Sequence, residues 1–126
     1  MAKTVLLVDD EANIALSLEF AMKKAGYDVR TVTDGEAALE AAHETPPDLV
    51  LLDIMMPKLN GYEVCRRLRA DPRMEGTKIV MLTAKGGPVE GEKALALGAD
   101  AFFAKPFSLA DLSARVQALM EEGAGA

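Results

Sequence analysis

The chain has 126 residues, 14 of them basic and 20 acidic, for a net charge of −6. That length suits one domain, and a chain that is 50% hydrophobic can fill a single core. The acidic balance argues against a surface that grips nucleic acid by neutralising phosphates, no apolar run reaches the roughly 18 residues of a membrane span, and the single cysteine, Cys65, excludes an intrachain disulfide. The opening Met-Ala-Lys-Thr lacks the apolar stretch of a signal peptide, so the expected location is the cytoplasm. Cys65 reads as a small buried helical residue, and His43, with no second His or Cys to join it, as an exposed one.

Thr4 to Val8 is a short branched apolar run and reads as a first strand. Glu11 to Ala25 reads as a helix with Ile14, Leu18, Ala21 and Ala25 on one face, stopped by Gly26. Asp28 to Thr33 is a second strand. Asp34 caps an alanine-rich helix through Glu44, which Pro46 and Pro47 end. Asp48 to Ile54 is a third strand, and its unbroken Leu-Val-Leu-Leu suits a parallel strand covered on both faces. Met56 to Gly61 is a loop with Asn60-Gly61 as turn chemistry, and Tyr62 to Ala70 is helical. Lys78 to Thr83 is a fourth strand, and Gly86, Gly87, Pro88 and Gly91 make a loose lead into a helix ending near Gly98. Ala101 to Ala104 is a fifth strand. Ser108 caps a last helix to about Glu122, giving one domain over 1–122 and a flexible tail over 123–126.

Strands alternating with helices predict an α/β domain with a parallel sheet and right-handed crossovers. The commonest order for five strands is 2-1-3-4-5, the doubly wound, flavodoxin-like arrangement with five helices. Such sheets place their chemistry where loops leave the carboxyl ends of the strands. There the chain has Asp9-Asp10 after strand one, Asp53 after strand three, Thr83-Ala84 after strand four and Lys105-Pro106 after strand five. Three carboxylates close together repel one another. A hard cation with oxygen ligands relieves that, and Mg²⁺ suits few carboxylates with several waters. Lys105 adds a fixed positive charge and Thr83 a hydroxyl. The set suits an anion with three equatorial oxygens, and a carboxylate attacking phosphorus would form an acyl phosphate. Each residue alone has a plainer role: a helix cap for Asp9-Asp10, β propensity for Thr83, a loop for Lys105-Pro106.

Val8-Asp9-Asp10-Glu11, Asp53-Ile54-Met55-Met56-Pro57 with Asn60-Gly61, Leu82-Thr83-Ala84, Gly98-Ala99-Asp100-Ala101 and Lys105-Pro106-Phe107, in that order, resemble the CheY-like receiver domains of bacterial two-component response regulators over essentially the whole chain. The resemblance implies that Asp53 is the phosphoacceptor. Asp9, Asp10, Asp53 and the backbone carbonyl of Met55 would hold Mg²⁺, with Mn²⁺ as a substitute, and Lys105 would pair with Asp53 and the phosphoryl oxygens. It also implies a cis Lys105-Pro106 bond, which a peptide bond before proline tolerates.

The same resemblance implies a switch in which Thr83 moves toward the phosphoryl group and Phe102 follows. Phe102 lacks a phenol hydroxyl, so packing alone would drive it. Met55 and Lys85 occupy the positions that tune phosphoryl lifetime. Neither positions an attacking water, which predicts slow self-dephosphorylation. The implied donor is a histidine kinase or histidine phosphotransfer protein, docking near Ile14 and Ser17 on the first helix. A downstream protein partner would read helix four, strand five and helix five. Dimerisation there is incomplete, because Gly91 and Ala101 stand where charges are expected, while Lys93, Asp111 and Arg115 remain. The expectation is therefore a monomer or weak dimer, with no nucleic acid or membrane contact. A stand-alone receiver is favoured over a fragment of a longer DNA-binding transcriptional regulator. Two other classes fit the sequence less well. A Mg²⁺-dependent phosphohydrolase would need a second acid close after Asp53, where Ile54-Met55-Met56-Pro57 has none. A flavodoxin-like cofactor binder would need a phosphate-cradling loop where Asp9-Asp10-Glu11 stands.

Overall fold

A computed structural model describes residues 2–56, 58–83 and 88–125. The strands are β1 (Thr4–Val8), β2 (Asp28–Val32), β3 (Leu49–Asp53), β4 (Lys78–Thr83) and β5 (Ala101–Ala104). The helices are α1 (Ala12–Lys24), α2 (Gly35–Glu44), α3 (Gly61–Ala70), α4 (Pro88–Ala96) and α5 (Leu109–Gly125). The sheet is parallel throughout, in the expected order β2-β1-β3-β4-β5. Among the described residues no helix is long and apolar enough to cross a membrane.

The alternation of side chains along each strand divides the core in two. Leu6, Val8, Val50, Leu52, Ile79 and Met81 point to the face covered by α2, α3 and α4. Val5, Leu7, Leu49, Leu51, Val80 and Leu82 point to the face covered by α1 and α5. Both faces are thus occupied, which is why β3 reads as a continuous apolar run. The buried side of α1 differs from the expected one. It is Ala15, Leu18 and Met22 that are buried, Ile14 and Ala21 flank them, and Ala25 is the C-cap, outside the helix. Periodicity defines a stripe's spacing but not its centre, and docking against α5 and the sheet centres the buried stripe on Leu18, with Ile14 and Ala21 at its margin.

Local signals account for most boundaries. Asp34 accepts from the Ala37 N–H at 2.8 Å and caps α2, and Ser108 accepts from the Asp111 N–H at 3.2 Å and caps α5. Asn60 does more than turn the chain: it caps α3 by accepting from the Glu63 N–H at 3.1 Å. Asn with Glu three residues on is a helix-start signature. Gly61, the first residue of α3, packs so close that a Cβ there would lie 2.5 Å from the Asp53 carbonyl oxygen. Only glycine lets α3 seat against the end of β3. A short 3₁₀ turn, Pro72–Met74, precedes β4, and α5 continues past Glu122 through Gly125. Cys65 is buried and the exposed His43 pairs with Arg73.

Candidate functional site

Register assembles the site. Val8 pairs with Leu52, so Asp9 and Asp53 emerge side by side from adjacent strands. Asp53 is the last residue of β3 and is 2% exposed, Asp9 is fully buried, and Asp10 is exposed. Carboxylate oxygens of Asp9, Asp10 and Asp53 lie within 4.8 Å of one another. Asp9 is held by its own backbone N–H, which donates to the Val32 carbonyl at 3.2 Å, and by its Oδ1, which accepts from the Glu11 N–H at 2.9 Å. It does not act as the N-cap of α1, a position Glu11 occupies without a side-chain cap bond.

Lys105 follows β5, and its backbone N–H donates to the Thr83 carbonyl at 2.7 Å. Its Nζ donates to Glu11 Oε1 at 3.0 Å, Asp53 Oδ2 at 3.3 Å and Asp9 Oδ2 at 3.4 Å. The Lys105–Pro106 bond is cis. Thr83 is buried at the end of β4. Met55 lies on the loop after β3; its N–H donates to Asp53 Oδ1 at 3.2 Å, and its side chain is exposed. Lys85 lies outside the described residues. Phe102 is half-buried on the α2–α3–α4 side of the sheet, with its ring where a Cβ on Gly91 would stand.

Burial raises the Asp53 carboxyl to about pH 6, and the charge of Asp9 adds to it; Lys105 and the Met55 N–H oppose the rise without cancelling it. Burial by itself would lower the Lys105 ammonium, but the Glu11 hydrogen bond and the charges of Asp53 and Asp9 outweigh it and raise its pKa. Among the described residues, one ammonium therefore shares a small volume with more carboxylates than it can neutralise. The donor set fits a hard divalent cation: carboxylate oxygens only, two buried and one open to solvent, where waters can complete the shell.

Asp9, Asp10, Asp53, Thr83 and Lys105, all expected at the carboxyl edge, do lie at that edge in the strand order. Glu11, the partner nearest to Lys105, was not among the expected residues. The available signal was a third carboxylate directly after the acidic pair, but its use depends on a contact 94 positions along the chain. On the surface, Leu112 and Val116 of α5 belong to the core while Asp111 and Arg115 are exposed. Lys93 lies 4.3 Å from the centre of the Tyr62 ring, engaged within the chain.

The fold is a doubly wound α/β domain, and its carboxyl edge carries a buried carboxylate in an acidic cluster that could hold a cation. The chain matches the response regulator receiver domain family over residues 5–117 and belongs to it. It is 46% identical over 120 residues to the alkaline phosphatase synthesis transcriptional regulatory protein PhoP of Bacillus subtilis, covering 95% of this chain and 49% of PhoP. The chain thus spans about half the length of that relative. A solved chain from Chloroflexus aurantiacus superposes with a TM-score of 0.91 at 35% identity, covering 96% of this chain and 99% of the other. The chemotaxis response regulator CheY4 of Vibrio cholerae gives 0.89 at 31%, covering 94% and 99%.

Proposed function

We propose that this chain accepts a phosphoryl group on Asp53 from a phosphohistidine of a histidine kinase or histidine phosphotransfer protein. The observation that carries the reading is a nearly buried carboxylate with two more within 4.8 Å and an ammonium 3.3 Å away. An Asp53 oxygen attacks phosphorus, the O–P bond forms, and the P–N bond breaks with its electron pair passing to the imidazole. Asp9, Asp10, Asp53 and the Met55 carbonyl would hold Mg²⁺, or Mn²⁺ in its place, which supplies positive charge for the phosphoryl oxygens. Lys105 orients the same oxygens, and Thr83 reads the modified state, with Phe102 following by packing. The donor would dock along the apolar groove lined by Ile14, Ser17, Pro106 and Phe107.

In this reading the chain works as a signalling phosphoacceptor over 1–122, in the cytoplasm, without binding nucleic acid itself, and as a monomer or weak dimer. With Met55 and Lys85 at the tuning positions, the phosphoryl group is long-lived; hydrolysis within seconds in purified protein would contradict this. Two outputs remain in view: a stand-alone receiver that signals by docking, and the receiver portion of a longer transcriptional regulator. The coverage of PhoP supports the second. The test of the central claim is incubation with Mg²⁺ and acetyl phosphate followed by intact mass. One phosphoryl adduct is expected in the unaltered protein and none in Asp53→Ala; an adduct that survives the substitution refutes the assignment.

A further inference from the structure

The Lys105 ammonium has three hydrogens, and three carboxylates take them. The shortest contact, 3.0 Å, is to Glu11, not to Asp53 or Asp9. Lys105 is 10% exposed and Glu11 57%, so the glutamate reaches in from the rim of the site. Its backbone starts α1, but its side chain makes no cap bond, and Lys105 is the partner the structure gives it.

We infer that Glu11 is a positioning residue: it holds Lys105 in the unmodified protein and competes with a phosphoryl group on Asp53 for the same ammonium. The inference rests on Asp53 being the phosphoacceptor. A phosphoryl group brings new anionic oxygens to a lysine whose hydrogens are already committed, so one contact must yield. Asp53 becomes part of the acyl phosphate, and Asp9 is bound to the Glu11 N–H and faces the cation position. The Glu11 contact is the one that opposes the change, because it favours the unmodified state without gaining anything in the modified one. A partly exposed ion pair of this kind corresponds to about a two- to five-fold effect on an equilibrium.

The experiment uses beryllofluoride, a phosphoryl mimic, titrated by calorimetry into protein saturated with Mg²⁺. Glu11→Gln removes the charge and keeps the length. Glu11→Asp keeps the charge but is one methylene too short to reach Nζ. Both variants are expected to bind beryllofluoride about two- to five-fold more tightly than the unaltered protein, with thermal melts in its absence lowered only by the small amount the lost contact supplied. Tightening in Glu11→Gln but not in Glu11→Asp would mean that general charge at the rim is responsible, and no change in either would mean that the contact is idle; each overturns the inference. If the unaltered protein neither binds beryllofluoride nor is labelled by acetyl phosphate, the phosphoacceptor reading falls, and this one with it. If it does both and the variants are silent, only Glu11 is misassigned.

Discussion

The two ends of the sheet each carry a partly buried cation, and they are built to opposite rules. At the amino edge Arg69 donates to the Gly98 carbonyl at 2.8 Å, the Met74 carbonyl at 3.1 Å and Asp100 Oδ2 at 2.8 Å, and that carboxylate also accepts the Ile79 N–H at 2.8 Å. One charge meets one charge, and the donors have partners. At the carboxyl edge Lys105 faces Asp9, Glu11 and Asp53, with Asp10 beside them. The first arrangement ties α3 and the loop before β5 to β4. Among the described residues, the second sets one ammonium against more carboxylates than it can neutralise.

The contrast yields tests of decreasing size. Arg69→Met should cost about 2–3 kcal/mol, because it leaves Asp100 without its partner, yet leave phosphoryl labelling of the folded protein intact. Urea melts and intact mass check the two halves; loss of labelling in folded protein would break the division. Asp53→Asn should do the reverse and stabilise the metal-free protein. The folded-state pKa of about 6 lies above the ordinary 3.8, so the proton-linked stabilisation is present at low pH and is lost as pH rises through 6. The substitution therefore gains on the order of 1–3 kcal/mol above pH 7 and almost nothing near pH 4, read from melts in a chelator. For the same reason Mg²⁺ affinity should fall by up to about tenfold per pH unit below 6, since the ligand must lose its proton; calorimetry between pH 5 and 8 would show it.

The smallest effect concerns Gly91. Helix propensity alone expects Gly91→Ala to stabilise α4 by about 1 kcal/mol. The added Cβ would instead collide with the Phe102 ring, so the gain should vanish or become a loss. In a Phe102→Ala background the gain should return. If Gly91→Ala raises the melting temperature equally in both backgrounds, the ring is not seated there. Gly91 first reads as a weak point in a loose helix, and its burial under an aromatic ring is invisible locally because the two residues lie on different elements.

Much of the molecule was legible residue by residue. The bounds of β4 follow from a branched apolar run and those of β5 from an aromatic pair between alanines, the caps at Asp34 and Ser108 from side chains that bond the next turn, and the site aspartates from their positions at strand ends. These signals are local, with short-range chemistry setting each one. The cap at Asn60 was equally local but was masked by the stronger turn signal of Asn60-Gly61.

By itself, then, the sequence determined the alternation of elements, the doubly wound class and which side chains reach the carboxyl edge, because periodicity and turn chemistry act within a few residues. Only the tertiary structure decided which face of α1 is buried, that Phe102 rests on Gly91, and that Glu11 rather than Asp53 is the nearest partner of Lys105. Those are contacts between elements far apart in the chain. They are set by strand register and by the packing of helices against a sheet, where a shift of one residue changes which groups meet.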